Sequence, residues 1–387
     1  MSKSSEIVII GGGVIGLSCA FYLAREIYSG KAAGKVTIIE KEQVTGAGAT
    51  GKNAGGIRAQ FSSPENVIFS LRSIEAFERF EEETDSPLVF NQCGYLFLQS
   101  TPEQVAEFEQ QAELQRSLGV AVEFLTPEEV HKLAPALKVD DLLRGNFFNR
   151  DGIADPGEVA MGYYNAVKRL GVEVLTNTTV TGIEMSGDTI TAVITDKETI
   201  YCQTVINAAG PYAAVVAKMA GYDLQVEPVK RQIVVSGPLD YINEDFPMVV
   251  DVSTGAYFHR ETPGLLMGWA DPNVKPGFDE SVDDDYTDEI LMRTLHRLPQ
   301  LEDAEIGKAW GGLYETTPDH RAIIGHAPGI NGFIFVNGFS GHGLMHAPAA
   351  GMVAADLVAG VTPRIDLTNL SPDRFTKGAL VYETNVL

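Results

Sequence analysis

Glu6-Ile7-Val8-Ile9-Ile10-Gly11-Gly12-Gly13-Val14-Ile15-Gly16 decides how this chain is read. Ile7 to Ile10 form a β-branched run of the kind that makes a buried parallel strand. The glycines that follow have GxGxxG spacing, and Leu17 to Ala24 continue as a helix whose small and apolar residues face the sheet. Each glycine has a physical task. Gly11 permits a tight turn, Gly13 lets the backbone approach a pyrophosphate, and Gly16 lets the helix pack closely on the strand. The helix N-terminus, with Val14 and Ile15 in its first turn, then faces the phosphates. A second strand, Lys35 to Glu40, ends in a carboxylate 24 residues after Gly16, where it can accept hydrogen bonds from ribose hydroxyls, with Lys41 beside it. Glycine-rich turns also occur for structural reasons alone. Strand, helix and acidic end in register make this one a dinucleotide site and leave NAD and FAD both open.

The next segment, Gly46 to Arg58, is too rich in glycine to be a packed element. It is either a flexible linker or a backbone surface laid against a flat polar ligand, and its position after the phosphate turn favours the ligand. From Gly48 to Arg58 it resembles the flavin-contacting loop of the D-amino-acid, glycine and sarcosine oxidase family. Further matches follow in family order: Asp151-Gly152-Ile153-Ala154-Asp155-Pro156, Asn207-Ala208-Ala209-Gly210-Pro211, Gly312-Leu313-Tyr314-Glu315-Thr316-Thr317-Pro318-Asp319, and Gly338-Phe339-Ser340-Gly341-His342-Gly343. In motif the chain is most similar to sarcosine oxidase β subunits and proline or hydroxyproline dehydrogenase β subunits.

The resemblance implies a two-domain α/β (α+β) fold. A Rossmann-like FAD-binding domain (residues 1–85, 146–215 and 320–387) is interrupted by a substrate domain (86–145 and 216–319) built on an antiparallel sheet. It also implies non-covalent FAD held by Gly48, Ala49, Thr50, Lys52, Asn53, Ala54, Gly55 and Gly56. Val180, Ala208, Ala209 and Gly210 join them from the middle of the chain. Gly312, Gly338, Gly341, Gly343, Leu344 and Met345 complete the set.

The reaction implied is oxidation of a C–N bond, with hydride leaving the carbon beside nitrogen for flavin N5. Negative charge then gathers near N1 of the flavin. The Gly338–Gly343 loop, ahead of a helix expected over Ala347 to Val358, offers backbone N–H groups and a positive helix end to that charge. A structural glycine turn is the alternative. Arg58 is expected against the isoalloxazine or a substrate carboxylate, which its planar fork suits, or else in a structural ion pair. Tyr257 is expected to close the site or bind a carboxylate through its hydroxyl, or else to be an ordinary half-buried strand residue. His259, His342 and His346 are candidates to orient substrate or accept a proton, with His346 preferred because it follows the flavin loop.

Four departures from the family shape the expectation. Gly312 stands where monomeric sarcosine oxidases carry their FAD-linking cysteine. Tyr314 replaces the arginine that glycine and D-amino-acid oxidases use for the substrate carboxylate. Met345 replaces a sarcosine oxidase lysine, and Leu266 aligns with the lysine thought to activate oxygen. Electron transfer to a carrier or partner subunit therefore stands beside O2 as acceptor. An FAD-retaining assembly or electron-transfer subunit with no amine substrate of its own is the non-enzymatic alternative.

The 387 residues suit two or three domains. A formal charge of −23 argues against nucleic acid as a partner. Cys19, Cys93 and Cys202 are too dispersed for a zinc site or disulfide framework. No apolar run is long enough to span a membrane, and Met1 to Ser5 enter a strand without the pattern of a secretory signal. A cytoplasmic protein is expected, with a small amine or amino acid as substrate and oligomerisation open. The acidic run Asp279 to Asp288 is read as a solvated loop and helix start, with a partner contact as the alternative.

Overall fold

Ile7–Ile10, buried along its whole length, is an inner strand of a six-stranded sheet in the computed structural model, which describes residues 3–378 and 380–386. The domain segments expected from the sequence begin at residue 1 and end at 387; Met1, Ser2, Ala379 and Leu387 lie outside the described residues. The strand order is Glu173–Leu175, Val36–Ile39, Ile7–Ile10, Thr204–Asn207, Phe333–Asn337, Ile323–His326. The first five run parallel and the last is antiparallel to its neighbour. Strands covered on both faces can be apolar at every position, as Ile7–Ile10 is. Each such side chain stabilises the fold by roughly 1.5–3 kcal/mol relative to exposure.

The helix Val14–Tyr22 is likewise buried throughout and packs against Gly343–Ala359, a longer helix than the sequence suggested. Their approach needs Gly351, where a Cβ would lie 2.4 Å from the Ser18 hydroxyl oxygen. Ser18 instead donates to the Ala347 carbonyl at 2.7 Å, satisfying a polar group inside the helix pair. The strand signals read over residues 172–206 divide between two sheets. Glu173–Leu175 and Thr204–Asn207 join the parallel sheet, whereas Val180–Ser186, Thr189–Thr195 and Thr199–Tyr201 pair with Lys3–Ser4 in a separate four-stranded sheet.

A second large sheet has eight strands in the order Ile306–Thr316, Glu227–Ser236, Gly264–Trp269, Ala256–Glu261, Met248–Asp251, Tyr95–Gln99, Arg144–Phe148, Glu123–Leu125. It is not wholly antiparallel as expected, because Met248–Asp251 runs parallel to Tyr95–Gln99. Those two strands come from separate excursions of the chain, so no hairpin dictates their relative direction. The expected domain seam at residues 145/146 falls inside Arg144–Phe148, which pairs with Tyr95–Gln99 on one side and Glu123–Leu125 on the other. A three-stranded sheet follows, in which Gly152–Ala154 pairs with both Gly56–Ile57 and Phe90–Asn91. That small sheet anchors the end of the glycine-rich loop where the two halves meet.

Candidate active site

A cleft of 570 Å³ runs from the carboxyl ends of the parallel strands to the inner face of the eight-stranded sheet. The phosphate turn opens it. Gly11 has φ +112°, and a Cβ there would lie 2.2 Å from the Ala208 carbonyl oxygen. Gly16 lies behind the turn and does not face the cleft; its Cβ would meet the Gly11 carbonyl oxygen at 1.9 Å. Gly13 differs. A Cβ there would meet only the Thr50 hydroxyl, at 3.2 Å, so the space it leaves belongs to a ligand rather than to the fold. The Thr50 hydroxyl accepts from the Val14 amide at 3.0 Å. Glu40 is held by the Gly12 amide at 2.7 Å on one oxygen and the Glu42 amide at 2.8 Å on the other. Its carboxylate is thus oriented before any ribose arrives.

The cleft gathers most of the residues expected to bind the cofactor. Beyond Gly11, Gly13, Val14 and Ile15 it is lined by Glu40, Lys41, Gly48, Ala49, Thr50, Lys52, Asn53, Ala54 and Gly56. Val180, Ala208, Ala209 and Gly210 line one flank, and Gly312, Gly341, Gly343, Leu344 and Met345 the other. Gly55 and Gly338 do not line it. They make room for the Ala154 carbonyl and the Thr317 side chain, which a Cβ would meet at 2.6 and 2.5 Å. The acidic run is more than a solvated loop, because Glu280 lines the cleft and pairs with Lys52 at 2.7 Å.

At the far end the cleft is walled by Tyr95, Tyr257 and Tyr314 with Arg58, Arg231 and His342. Each tyrosine ring packs where a glycine leaves space. A Cβ at Gly56, Gly268 or Gly341 would fall 1.8, 2.3 and 2.3 Å from Tyr95, Tyr257 and Tyr314 respectively. Burial pushes all three phenols above their ordinary range, so they are neutral donors. Arg58 is 0% exposed and forms no ion pair among the described residues, which removes the structural ion-pair reading. Its guanidinium stacks on Phe61 at 3.9 Å and donates to the Gln60 carbonyl at 2.5 Å and to the Asn385 carbonyl. Its Nε has no partner. Arg231 was not anticipated. It lies over the Tyr314 ring at 5.3 Å, donates to the Lys230 carbonyl at 3.0 Å, and likewise has an unpartnered Nε. Arg231 pairs with Gly312 across the two strands, two positions along from Tyr314. That register puts it beside Tyr314.

Two histidines of the expected catalytic set do not line the cleft. His259 does not line the cleft. Its Nε2 contacts the Ala54 carbonyl at 2.9 Å and its Nδ1 the Arg260 carbonyl at 2.8 Å, so it ties the sheet to the glycine-rich loop. His346 lies behind the flavin loop between Phe61, Phe69 and Phe339, with Nε2 2.9 Å from the Ser70 hydroxyl. Burial pushes its pKa down to about 3, with the Arg58 charge second, so it stays neutral and enclosed. His342 does face the cleft. Its Nε2 lies 3.4 Å from Arg58 Nη2, and because a guanidinium only donates, this nitrogen is the acceptor and the proton sits on Nδ1. Leu266 is 4% exposed in the core of the sheet.

The residues fit an adenine dinucleotide bearing a flat aromatic head: a phosphate turn, an oriented carboxylate, a glycine-rich lining and a tyrosine-walled end. Comparison with known proteins agrees. The DAO family, described as FAD dependent oxidoreductase, matches residues 6–357. FAD-dependent oxidoreductase domain-containing protein 1 of Xenopus laevis is 30% identical over 100% of this chain and 85% of its own length. Dimethylglycine dehydrogenase of Rattus norvegicus is 30% identical over 96% of this chain, which spans only 45% of that protein. Among solved structures, L-proline dehydrogenase from P. horikoshii superimposes with a TM-score of 0.91 at 33% identity, covering 98% of this chain and 100% of that one. No described helix is long and apolar enough to cross a membrane. The phosphate turn, the flavin loop and the paired domains thus belong to one lineage, and this chain is a member of the DAO family of FAD-dependent oxidoreductases.

Proposed function

We propose that this chain oxidises the C–N bond of a carboxylate-bearing amine, an amino acid or an N-substituted amino acid, to the imine. The observation that carries this reading is the pair of guanidiniums, Arg58 and Arg231, which reach the tyrosine-walled end of the cleft without a carboxylate partner among the described residues. Two guanidiniums without an ion-pair partner at one end of the cleft favour an anionic ligand there. The family cofactor supplies a hydride acceptor when bound, non-covalently here because Gly312 offers no thiol.

The chain's own residues supply the rest. Arg58 and Arg231 bind the carboxylate through their planar forks. Tyr257 and Tyr314 donate hydrogen bonds and keep water out, and the N-terminus of Gly343–Ala359 stabilises negative charge at the cleft floor. The relatives' printed names, dimethylglycine and L-proline dehydrogenases, are consistent with a substrate of this class. With Leu266 and Met345 at the two lysine positions, we infer that a carrier or partner protein is a better electron acceptor than O2.

Anaerobic mixing of the purified yellow protein with sarcosine, proline, glycine and D-amino acids tests the reading. Bleaching by a carboxylate-bearing amine, and loss of that bleaching at the same concentration in Arg231→Met, are expected. No bleaching by any amine would sink the proposal in favour of an FAD-retaining subunit. Repeating the panel in air and with a dye acceptor decides oxidase against dehydrogenase.

A further inference from the structure

We propose that the segment Val381–Val386 is a strap that positions Arg58, and that Glu383 is its anchor. Glu383 is 2% exposed, yet forms no salt bridge among the described residues. Its carboxylate is held by hydrogen bonds alone. One oxygen accepts from the Ser62 amide (2.9 Å), the Ser62 hydroxyl (2.6 Å) and the Asn385 amide (3.0 Å). The other accepts from the Ser63 amide (3.1 Å), the Ser63 hydroxyl (2.6 Å) and Asn66 Nδ2 (3.1 Å). These donors surround the N-terminus of the helix Pro64–Glu78, whose N-cap residue Ser63 makes no side-chain cap of its own. A carboxylate from a distant segment therefore sits at this helix N-terminus, where the helix dipole and a full set of donors offset its burial.

Two residues on, the strap reaches Arg58. The Asn385 carbonyl accepts from Arg58 Nη2, across 327 positions of sequence. Asn385 Nδ2 donates to the Gln60 carbonyl at 3.3 Å, the same oxygen that Arg58 Nη1 uses, and to Gln111 Oε1 at 2.8 Å. Both carbonyl acceptors of the guanidinium are thus fixed by one asparagine whose position Glu383 sets. The choice of carbonyls matters chemically. A carboxylate in direct contact would neutralise Arg58, whereas the carbonyl dipoles orient it and the charges of Glu383 and Asp151 act on it only from a distance, leaving it without an ion-pair partner for an anion in the cleft to replace. The strap is a device for orienting an arginine that has no direct ion-pair partner, and the inference rests on the reading of Arg58 as an anion anchor.

The test is titration of the FAD-loaded protein with sodium benzoate as a carboxylate probe, read by perturbation of the flavin absorption. Arg58→Lys, Glu383→Ala, Glu383→Gln, Asn385→Ala and the double variant Arg58→Lys/Glu383→Ala are compared. Glu383→Ala and Asn385→Ala are expected to weaken benzoate about tenfold, the scale of losing the fixed geometry of a charge-assisted hydrogen bond. FAD content should not change, and Glu383→Gln should recover part of the affinity. The double variant should bind benzoate no more weakly than Arg58→Lys alone, because both act on one guanidinium. Wild-type benzoate affinity in Glu383→Ala and Asn385→Ala, with affinity lost in Arg58→Lys, would overturn the strap while leaving the anchor. Multiplicative losses in the double variant would overturn it as well, showing a general structural effect. Wild-type affinity in Arg58→Lys would overturn both readings. If Glu383→Ala does not fold, Asn385→Ala carries the same comparison.

Discussion

Glu315 gives the most quantitative prediction. It lies on the strand Ile306–Thr316, lines the cleft, and has no cation beside it. One oxygen accepts from the Phe339 amide at 3.4 Å and the other has no partner. Burial raises its pKa from 4.5 to about 7, against the pull of the Gly338 and Phe339 amides. A carboxyl raised on folding keeps its proton while the unfolded chain has lost it, so stability falls with rising pH. The contribution is fully present below pH 4.5 and lost progressively up to about pH 7, for a total on the order of 3 kcal/mol. Glu315→Gln keeps an acceptor for the loop amides and cannot ionise. Its stability relative to wild type should therefore improve by roughly 2–3 kcal/mol between pH 5 and pH 8. Packing differences between Glu and Gln do not depend on pH and cancel in that comparison. So does Asp151, also raised to about 7 by burial, because it is present in both proteins. Urea denaturation of the FAD-saturated proteins at the two pH values measures the effect. An equal difference between wild type and Glu315→Gln at pH 5 and pH 8 would refute the reasoning.

Gly13→Ala and Gly16→Ala should fail differently: Gly13→Ala yields folded, colourless protein by circular dichroism and absorption, whereas Gly16→Ala fails to fold because its Cβ has nowhere to go. His346→Leu should leave the pH dependence of flavin reduction near neutrality unchanged. It should also remove an acid destabilisation, since a histidine held neutral in the fold contributes stability above pH 6.5 that is lost as pH falls toward about 3; thermal melts at pH 7 and 4 read this. The thiols of Cys19 and Cys202, pushed up to about 12 by burial, should react with a disulfide reagent only after unfolding, which a timed colorimetric assay with and without denaturant shows.

Much of the cofactor side was legible because it is written in contiguous residues acting through their backbone. Gly11 and Gly16 make the tight turn and close packing that their spacing implies, and Gly13 and Glu40 line the cleft. The loop Gly48 to Gly56 lines the cleft apart from Gly51 and Gly55. The substrate side was legible only in part. Arg58, Tyr257 and Tyr314 reach the cleft, while His259 and His346 turn away from it. Arg231 and Glu315 went unnoticed as site residues, although the charged run Lys230-Arg231 at the start of the strand that continues Ile233-Val234-Val235 is a signal that could have been weighed.

By itself the sequence determined the strand, turn and helix that bind a dinucleotide, the flavin loop and the lineage, because glycine spacing and apolar runs act locally on the backbone. Only the tertiary structure decided which charged side chains meet in the cleft. A strand residue faces one side or the other according to a pairing register set by distant strands, and a shift of one residue reverses every face. That register brings Arg231 beside Tyr314, and chain closure brings Asn385 to Arg58 and Glu383 to Ser62 and Ser63 from the other end of the sequence. Spacing along the chain carries no information about such long-range meetings, and the charge available to a substrate depends on them.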